Sequence, residues 1–223
     1  MKSRIFYTKT YKLIEDKIKK FLNNYPPFLT KDTIESPRAV GDALQHILEN
    51  NFQHIIGNYA KDTSADFPRR AMADIAFTDH NGIHYIIDVK THRLDTKFNM
   101  PNLTSVERIT RFYEDDNNYY IVLIISYNKI SSVKIKVDNV HFVPIEFLSW
   151  ECLTIGALGW GQIQIANANN IIINHGYSRK VWMLDLCNAL LDFYPKEINK
   201  ISKRLDYFKK IKNNWSNRKD IWK

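Results

Sequence analysis

Glycine and proline are scarce, seven of each in 223 residues, and this excludes a long flexible or low-complexity tract. Cysteine is scarcer still. Cys152 and Cys187 stand far apart with no CxxC partner, which excludes a disulfide framework and a cysteine-rich zinc site and fits a reducing compartment. No apolar run approaches the roughly 20 residues that a membrane helix requires; the most apolar stretch, Ile121 to Tyr127, has the length of a buried strand. The opening Met1-Lys2-Ser3-Arg4-Ile5 lacks the apolar core of a secretory signal. The expectation is a soluble, cytoplasmic protein. The seven histidines show no His-Cys metal spacing, and there is no internal repeat.

What is present is apolar material and positive charge. Hydrophobic residues make up 44% and aromatics 13% of the chain, enough for the core of one domain. Lysine and arginine number 32 against 24 acids, a formal net charge of +8, with a sequence pI near 9.3. Such an excess favours polyanionic partners, although abundant lysine and asparagine also follow from an A/T-rich genome.

Hydrophobic spacing predicts a helix over residues 4–24, stopped by Pro26-Pro27, and another from Val40 to Asn58. Strands are expected at Met72–Thr78 and Ile83–Lys90, flanking His80-Asn81-Gly82, because an Asn-Gly pair between apolar runs signals a hairpin. A helix at Thr104–Tyr113, strands at Tyr119–Tyr127, Val133–Val137 and Phe142–Pro144, and two helices at Arg179–Phe193 and Lys196–Ile211 complete a mixed α/β order. The whole reads as a single domain. Within it, residues 4–24 are a candidate dimerisation helix, about 38–150 a catalytic core, and about 156–215 a recognition and helical region.

The segment that carries chemistry is Ala73-Asp74-Ile75 followed by Ile86-Ile87-Asp88-Val89-Lys90-Thr91. Strand side chains alternate, so Asp88 and Lys90 share a face while Ile87 and Val89 take the other. Turn length then decides whether two acids meet. A three-residue loop with Gly82 at positive φ pairs Asp79 with Ile83 and sets Asp74 opposite Asp88, whereas a two-residue loop separates the carboxylates. Two carboxylates held together repel unless a cation lies between them, and Mg²⁺ takes one or two carboxylates plus waters and a phosphate oxygen. Lys90 beside them offers a positive charge to a phosphate or an attacking water.

Asp74 with Asp88-Val89-Lys90 resembles the PD-(D/E)xK signature of restriction-type nucleases, with Ala73 in place of the proline. Further patches extend the likeness to the blunt-cutting EcoRV/HincII group: Thr91, Pro101-Asn102 before a helix, Trp160-Gly161-Gln162-Ile163-Gln164-Ile165, and Gly176-Tyr177-Ser178-Arg179 leading to Trp182. It spans roughly residues 40–211. The resemblance implies a restriction-endonuclease-like core, a central mixed sheet flanked by helices. It also implies a homodimer that cleaves both strands of a palindromic duplex DNA site with Mg²⁺, leaving blunt ends with 5′-phosphates. Asp74, Asp88 and Lys90 would be catalytic, with Asp74, Asp88 and the Val89 carbonyl on the metal. The family also places an acid on the preceding helix; Asp42 is the nearest candidate, with Glu49 and a Gln45 substitute as alternatives. A junction-resolvase-like repair nuclease of the same fold is the competing reading.

Expected DNA contacts fall in three segments. Arg69 and Arg70 precede the catalytic strand and suit phosphates or the minor groove. Thr91, Lys97, Asn99, Asn102, Thr104 and Ser105 lie on the segment leaving that strand. Gln162, Gln164, Asn167, Asn169, Asn170 and Asn174 are amides able to read adenine edges, and Arg179 follows them.

Overall fold

The structure, a computed structural model, describes residues 2–64 and 74–220. The first helix, α1 (Thr10–Asn24), starts later than its apolar spacing suggests, because Ile5 and Phe6 ahead of it are themselves buried in the core. It ends at Tyr25, held extended (ψ 141°) by the proline that follows. Helix α2 (Pro37–Ile56) starts three residues earlier than expected. Ser36 caps it by accepting from the Ala39 N–H at 3.3 Å, and Pro37 occupies the first turn, where a missing N–H does no harm. Gly57, at φ 57°, ends it.

Five strands form the main sheet: β1 (Asp62–Ser64), β2 (Ile75–Thr78), β3 (His84–Arg93), β5 (Asn118–Lys129) and β6 (Ile135–Pro144), in the order β1-β2-β3-β5-β6. The β3–β5 pair is parallel and the others antiparallel, so the sheet is mixed. From Tyr119 to Tyr127 β5 is buried throughout, as its apolar run requires. Where two short strands were expected at Val133–Val137 and Phe142–Pro144, the single strand β6 runs through. The polar Asp138-Asn139 interruption is absorbed by a register shift opposite Ser126 and Tyr127, a bulge rather than a break.

Helices α1 and α2 cover one face of this sheet: α1 lies on β6 and α2 on β3, with the Phe52 ring 5.9 Å from Phe77 and 6.4 Å from Phe142. A smaller sheet, β4 (Asn102–Ser105), β7 (Leu153–Gly156) and β8 (Gln162–Ile165) in the order β4-β8-β7, is tied to the other face. There the Tyr120 hydroxyl donates to the Leu103 carbonyl at 3.2 Å. Helix α3 (Val106–Phe112) is shorter than expected because Thr104 and Ser105 belong to β4, and Ser105 caps the helix by accepting from the Arg108 N–H.

The two C-terminal helices expected on either side of Pro195 are one helix, α4 (Arg179–Ser216), capped by Ser178. Proline removes one hydrogen bond and costs about 3 kcal/mol in a helix interior. In a helix of 38 residues that loss is local. Among the described residues no helix is long and apolar enough to cross a membrane. The architecture is α+β, a central mixed sheet with helices.

Candidate functional site

The hairpin loop sets the site. Asp79 donates its N–H to the Ile83 carbonyl at 3.0 Å, Gly82 sits at φ 78°, and the ladder runs Thr78↔His84 to Ile75↔Ile87. Continued by one residue, this register sets Asp74 opposite Asp88, the odd register that the three-residue loop demands. Asp74 lies just before β2, and its own N–H bonds the Ile87 carbonyl at 2.9 Å.

Asp74 does more than face Asp88. The next N–H of β3 on the β2 side is that of Val89. The Asp74 Oδ2 accepts it at 2.7 Å. The Val89 carbonyl lies on the same side of the strand as its N–H and so points to the same edge. The other oxygen of Asp74 accepts from Gln45 Nε2 at 2.9 Å. Burial raises the Asp74 pKa, opposed by the Val89 N–H and by Lys90, while Glu49 raises it further.

Asp88 is only 5% exposed. Its Oδ1 holds the Lys90 ammonium at 2.6 Å. Its Oδ2 is buried and lacks a partner at hydrogen-bond geometry, the Tyr120 hydroxyl close by being directed at Leu103. Burial pushes the Asp88 carboxyl up to about 7; Lys90 and the nearby Tyr120 hydroxyl work against this and Asp74 adds to it. A buried anion without a full set of partners is costly, and a divalent cation at Oδ2 would satisfy it. Among the described residues no cluster of three or more His, Cys, Asp or Glu is placed to hold a metal. The protein donors available are therefore two carboxylates and the Val89 carbonyl, a set that suits Mg²⁺, which keeps several waters.

The three positions considered on α2 separate clearly. Gln45 is the side chain on Asp74, and the same amide nitrogen donates to Glu49 at 2.9 Å, so Glu49 reaches Asp74 only through Gln45. Asp42 is exposed, one turn earlier, and lines a cleft of about 320 Å³ with Arg38, Gln45, Lys90, Thr91 and Asn99. Gly41 lets the helix approach: a Cβ there would meet Thr91 Oγ1 at 2.7 Å. Sequence reasoning passed over Gly41, Arg38 and Tyr120. A glycine inside a helical pattern was the one available signal, since it usually marks close packing.

The expected DNA-contacting residues divide. Thr91 and Asn99 line the cleft beside Lys90. Lys97, Asn170 and Asn174 have exposed side chains and Gln162 is half-buried; Asn174 Oδ1 accepts from the Gly176 N–H at 2.9 Å. Ser105 is occupied as the α3 cap. Thr104 is buried at 4% exposure because its side chain points into the protein, so it cannot meet DNA as expected. Gln164 and Asn102 bond each other at 2.6 Å across β4 and β8.

Asn169 is a bracket rather than a free reader. It bonds His92 at 2.9 Å and the Thr96 and Lys97 carbonyls at 3.0 and 3.2 Å, and its neighbour Asn167 accepts its N–H at 3.0 Å. Arg179 also departs from expectation. Its guanidinium grips Glu146 at 3.1 and 3.2 Å and the Asp116 carbonyl at 3.1 Å, and it lies 4.1 and 4.3 Å from the Tyr113 and Tyr119 rings. It neutralises a fully buried carboxylate and is not available to a phosphate. Arg69 and Arg70 lie outside the described residues. No protein-family profile matches this chain, and no curated protein matches it in sequence.

Proposed function

We propose that this chain is an Mg²⁺-dependent endonuclease of the PD-(D/E)xK type, a type II enzyme that cuts both strands of a palindromic duplex DNA site and works as a homodimer. The observation that carries this reading is the middle of β3. There Asp74 stands opposite Asp88, one buried Asp88 oxygen is without a partner, and Lys90 is held against the other at 2.6 Å. A structural ion pair alone gives no reason for a second, converging carboxylate.

Mg²⁺ bound here would supply charge to stabilise a developing phosphorane and to lower the pKa of a water. The rest falls to the chain. Asp74 and Asp88 are positioned before substrate arrives, one by the Val89 N–H and Gln45, the other by Lys90. Lys90 opens on the cleft, so its ammonium is placed to move from Asp88 to a scissile phosphate oxygen. With a cation on Asp88, that exchange leaves neither charge unpaired.

A second reading, a structure-specific nuclease of the junction-resolvase kind, is favoured by one observation. Several amides that would read bases are bonded within the protein, Asn169 and the Asn102–Gln164 pair foremost. The separating experiment incubates the protein with unmethylated phage DNA and with branched duplexes, with and without Mg²⁺. Discrete fragments support site-specific cutting, and cleavage confined to branched substrates supports the second reading. Asp74→Ala, Asp88→Ala and Lys90→Ala should each abolish Mg²⁺-dependent cutting in a folded protein; full activity in any of them defeats both readings.

A further inference from the structure

Helix α4 is about 57 Å long at 1.5 Å per residue, and the body holds only its first half, through Trp182, Leu186 and, near the middle, the buried Glu197 and the Tyr194 hydroxyl. From Ile198 to Ser216 every residue except Ile211 is exposed. A solvated single helix of that length gains nothing from carrying large apolar side chains, yet Leu191 is 73% and Trp215 63% exposed. The apolar positions are ordered. Leu191, Tyr194, Ile198, Ile201, Leu205 and Phe208 alternate steps of three and four residues, and the pattern reaches Trp215 after the single interruption of Lys212. Upstream the same steps fall on Cys187 and Leu184.

A stripe this narrow, with a period of about 3.5 residues, is the seam of a coiled coil. A membrane-surface helix would need a broader apolar face. We infer that the exposed face of α4 pairs with α4 of a second copy of this chain as an antiparallel two-stranded coiled coil, centred between Ile198 and Ile201.

The direction follows from the seam and its flanks. With Ile198 against Ile201 of the second copy, Tyr194 meets Leu205, Leu191 meets Phe208 and Leu184 meets Trp215. Cys187 meets Lys212, so the one charged seam position faces the least apolar one. A slide of one heptad either way sets Trp215 or Leu184 opposite residues beyond the ends of α4 (Arg179–Ser216).

In the centred register Glu197, buried and paired with Lys200 at 2.6 Å within its own chain, lies on the flank facing Arg204 of the second copy, twice by symmetry, and Ile211 flanks Leu190, itself packed on its own core. A parallel pair would instead set Lys212 against itself and Arg204 against Lys209, like charges at both places. Lys196 to Ser216 carries seven basic residues against two acids, which opposes any self-pairing. But Lys196, Lys203 and Lys210 fall on the far side of the seam, where separations beyond the Debye length of about 8 Å at physiological salt are screened. The groove of about 500 Å³ between Trp160 and α4 at Tyr194, Ile198 and Ile201 continues the same apolar patch, and Trp160 is anchored there by the Tyr194 hydroxyl on its carbonyl at 2.6 Å.

This inference gives the proposed homodimer its surface, but its tests use no cleavage, so it stands or falls apart from the nuclease reading. Sedimentation of the full chain without DNA should give twice the mass of one chain, and Leu205→Glu should give a monomer with unchanged near-UV circular dichroism. Lys212→Cys, oxidised with diamide, should form an interchain disulfide with Cys187 that disappears in the Cys187→Ser, Lys212→Cys double variant. Monomeric wild-type protein at tens of micromolar would overturn the proposal, as would association only upon adding DNA or anionic vesicles. So would cross-linking of the wild type through Cys187 alone, since that requires the parallel arrangement.

Discussion

Helices α1 and α4 carry the same kind of apolar stripe and meet opposite fates. On α1, Ile14, Ile18 and Leu22 are buried against β6, with Ile18 fully covered, whereas on α4 Ile201 is 58% exposed. Spacing announces in both cases that a face requires covering. It does not say by what. The neighbour of α1 comes from its own chain, 119 residues along in the contact of Lys19 Nζ with the Asp138 carbonyl. Beyond the Trp160 loop that borders Ile198 and Ile201, the described residues provide no such neighbour for the far half of α4.

The largest effect expected from breaking this comparison is on the α1 side. Ile18→Ala should destabilise the monomer by about 2–5 kcal/mol, the range for emptying a packed core position, read as a lowered midpoint in urea. Ile201→Ala should leave the midpoint of dilute protein within about 0.5 kcal/mol of wild type, as exposed substitutions do, and show its cost only as a weakened dimer at higher concentration. Equal losses in the two variants at low concentration would erase the distinction.

A buried charge sharpens it next. The folded pKa of Asp88, about 7, lies above the ordinary aspartate value of 3.8, so the folded state binds the proton more tightly. The associated stabilisation is complete below about pH 4 and is lost as pH rises through 7, on the order of a few kcal/mol in all. Asp88→Asn should flatten the stability profile over that window. Mg²⁺ should raise the melting temperature of the wild type more at pH 8 than at pH 5, because at pH 5 the carboxyl is protonated, and should not do so in Asp88→Asn. An equal rise at both pH values would speak against a cation at this carboxylate.

Glu15 on α1 gives the smallest effect. It is half-buried, accepts the Phe142 N–H at 2.8 Å, and is pushed up to about 7, chiefly by burial. The sign is the same, stability lost as pH climbs from about 4.5 through 7, but solvent screening reduces it. Glu15→Gln should remove a modest part of the alkaline loss in a urea titration repeated at pH 5 and pH 8. An unchanged pH dependence would mean that Glu15 is ionised at no cost.

The candidate site was legible because its geometry is local. An Asn-Gly loop and strand alternation narrow the register to two, and the Asp79–Ile83 bond selects the one that sets Asp74 opposite Asp88. The DNA-contact expectations fared unevenly for the opposite reason. Whether Asn169 and Arg179 are free depends on residues far off in the chain, the Thr96 and Lys97 carbonyls for one and Glu146 for the other. The same holds for Gln45, whose place on Asp74 depends on how closely Gly41 lets α2 approach Thr91.

By itself the sequence determined the periodicities: the strand alternation that puts Asp88 and Lys90 on one face, the buried run of β5 and the apolar stripes of α1 and α4. These depend on 2.0- or 3.6-residue repeats, which neighbouring residues settle among themselves. Tertiary structure alone decided which polar groups are consumed and which are left over. Asp74 capping the Val89 N–H, Asp88 keeping an unpartnered oxygen and Arg179 locked on Glu146 each follow from burial and pairing between distant segments. Desolvation makes such groups demand partners, and only the folded chain fixes which partners are within reach.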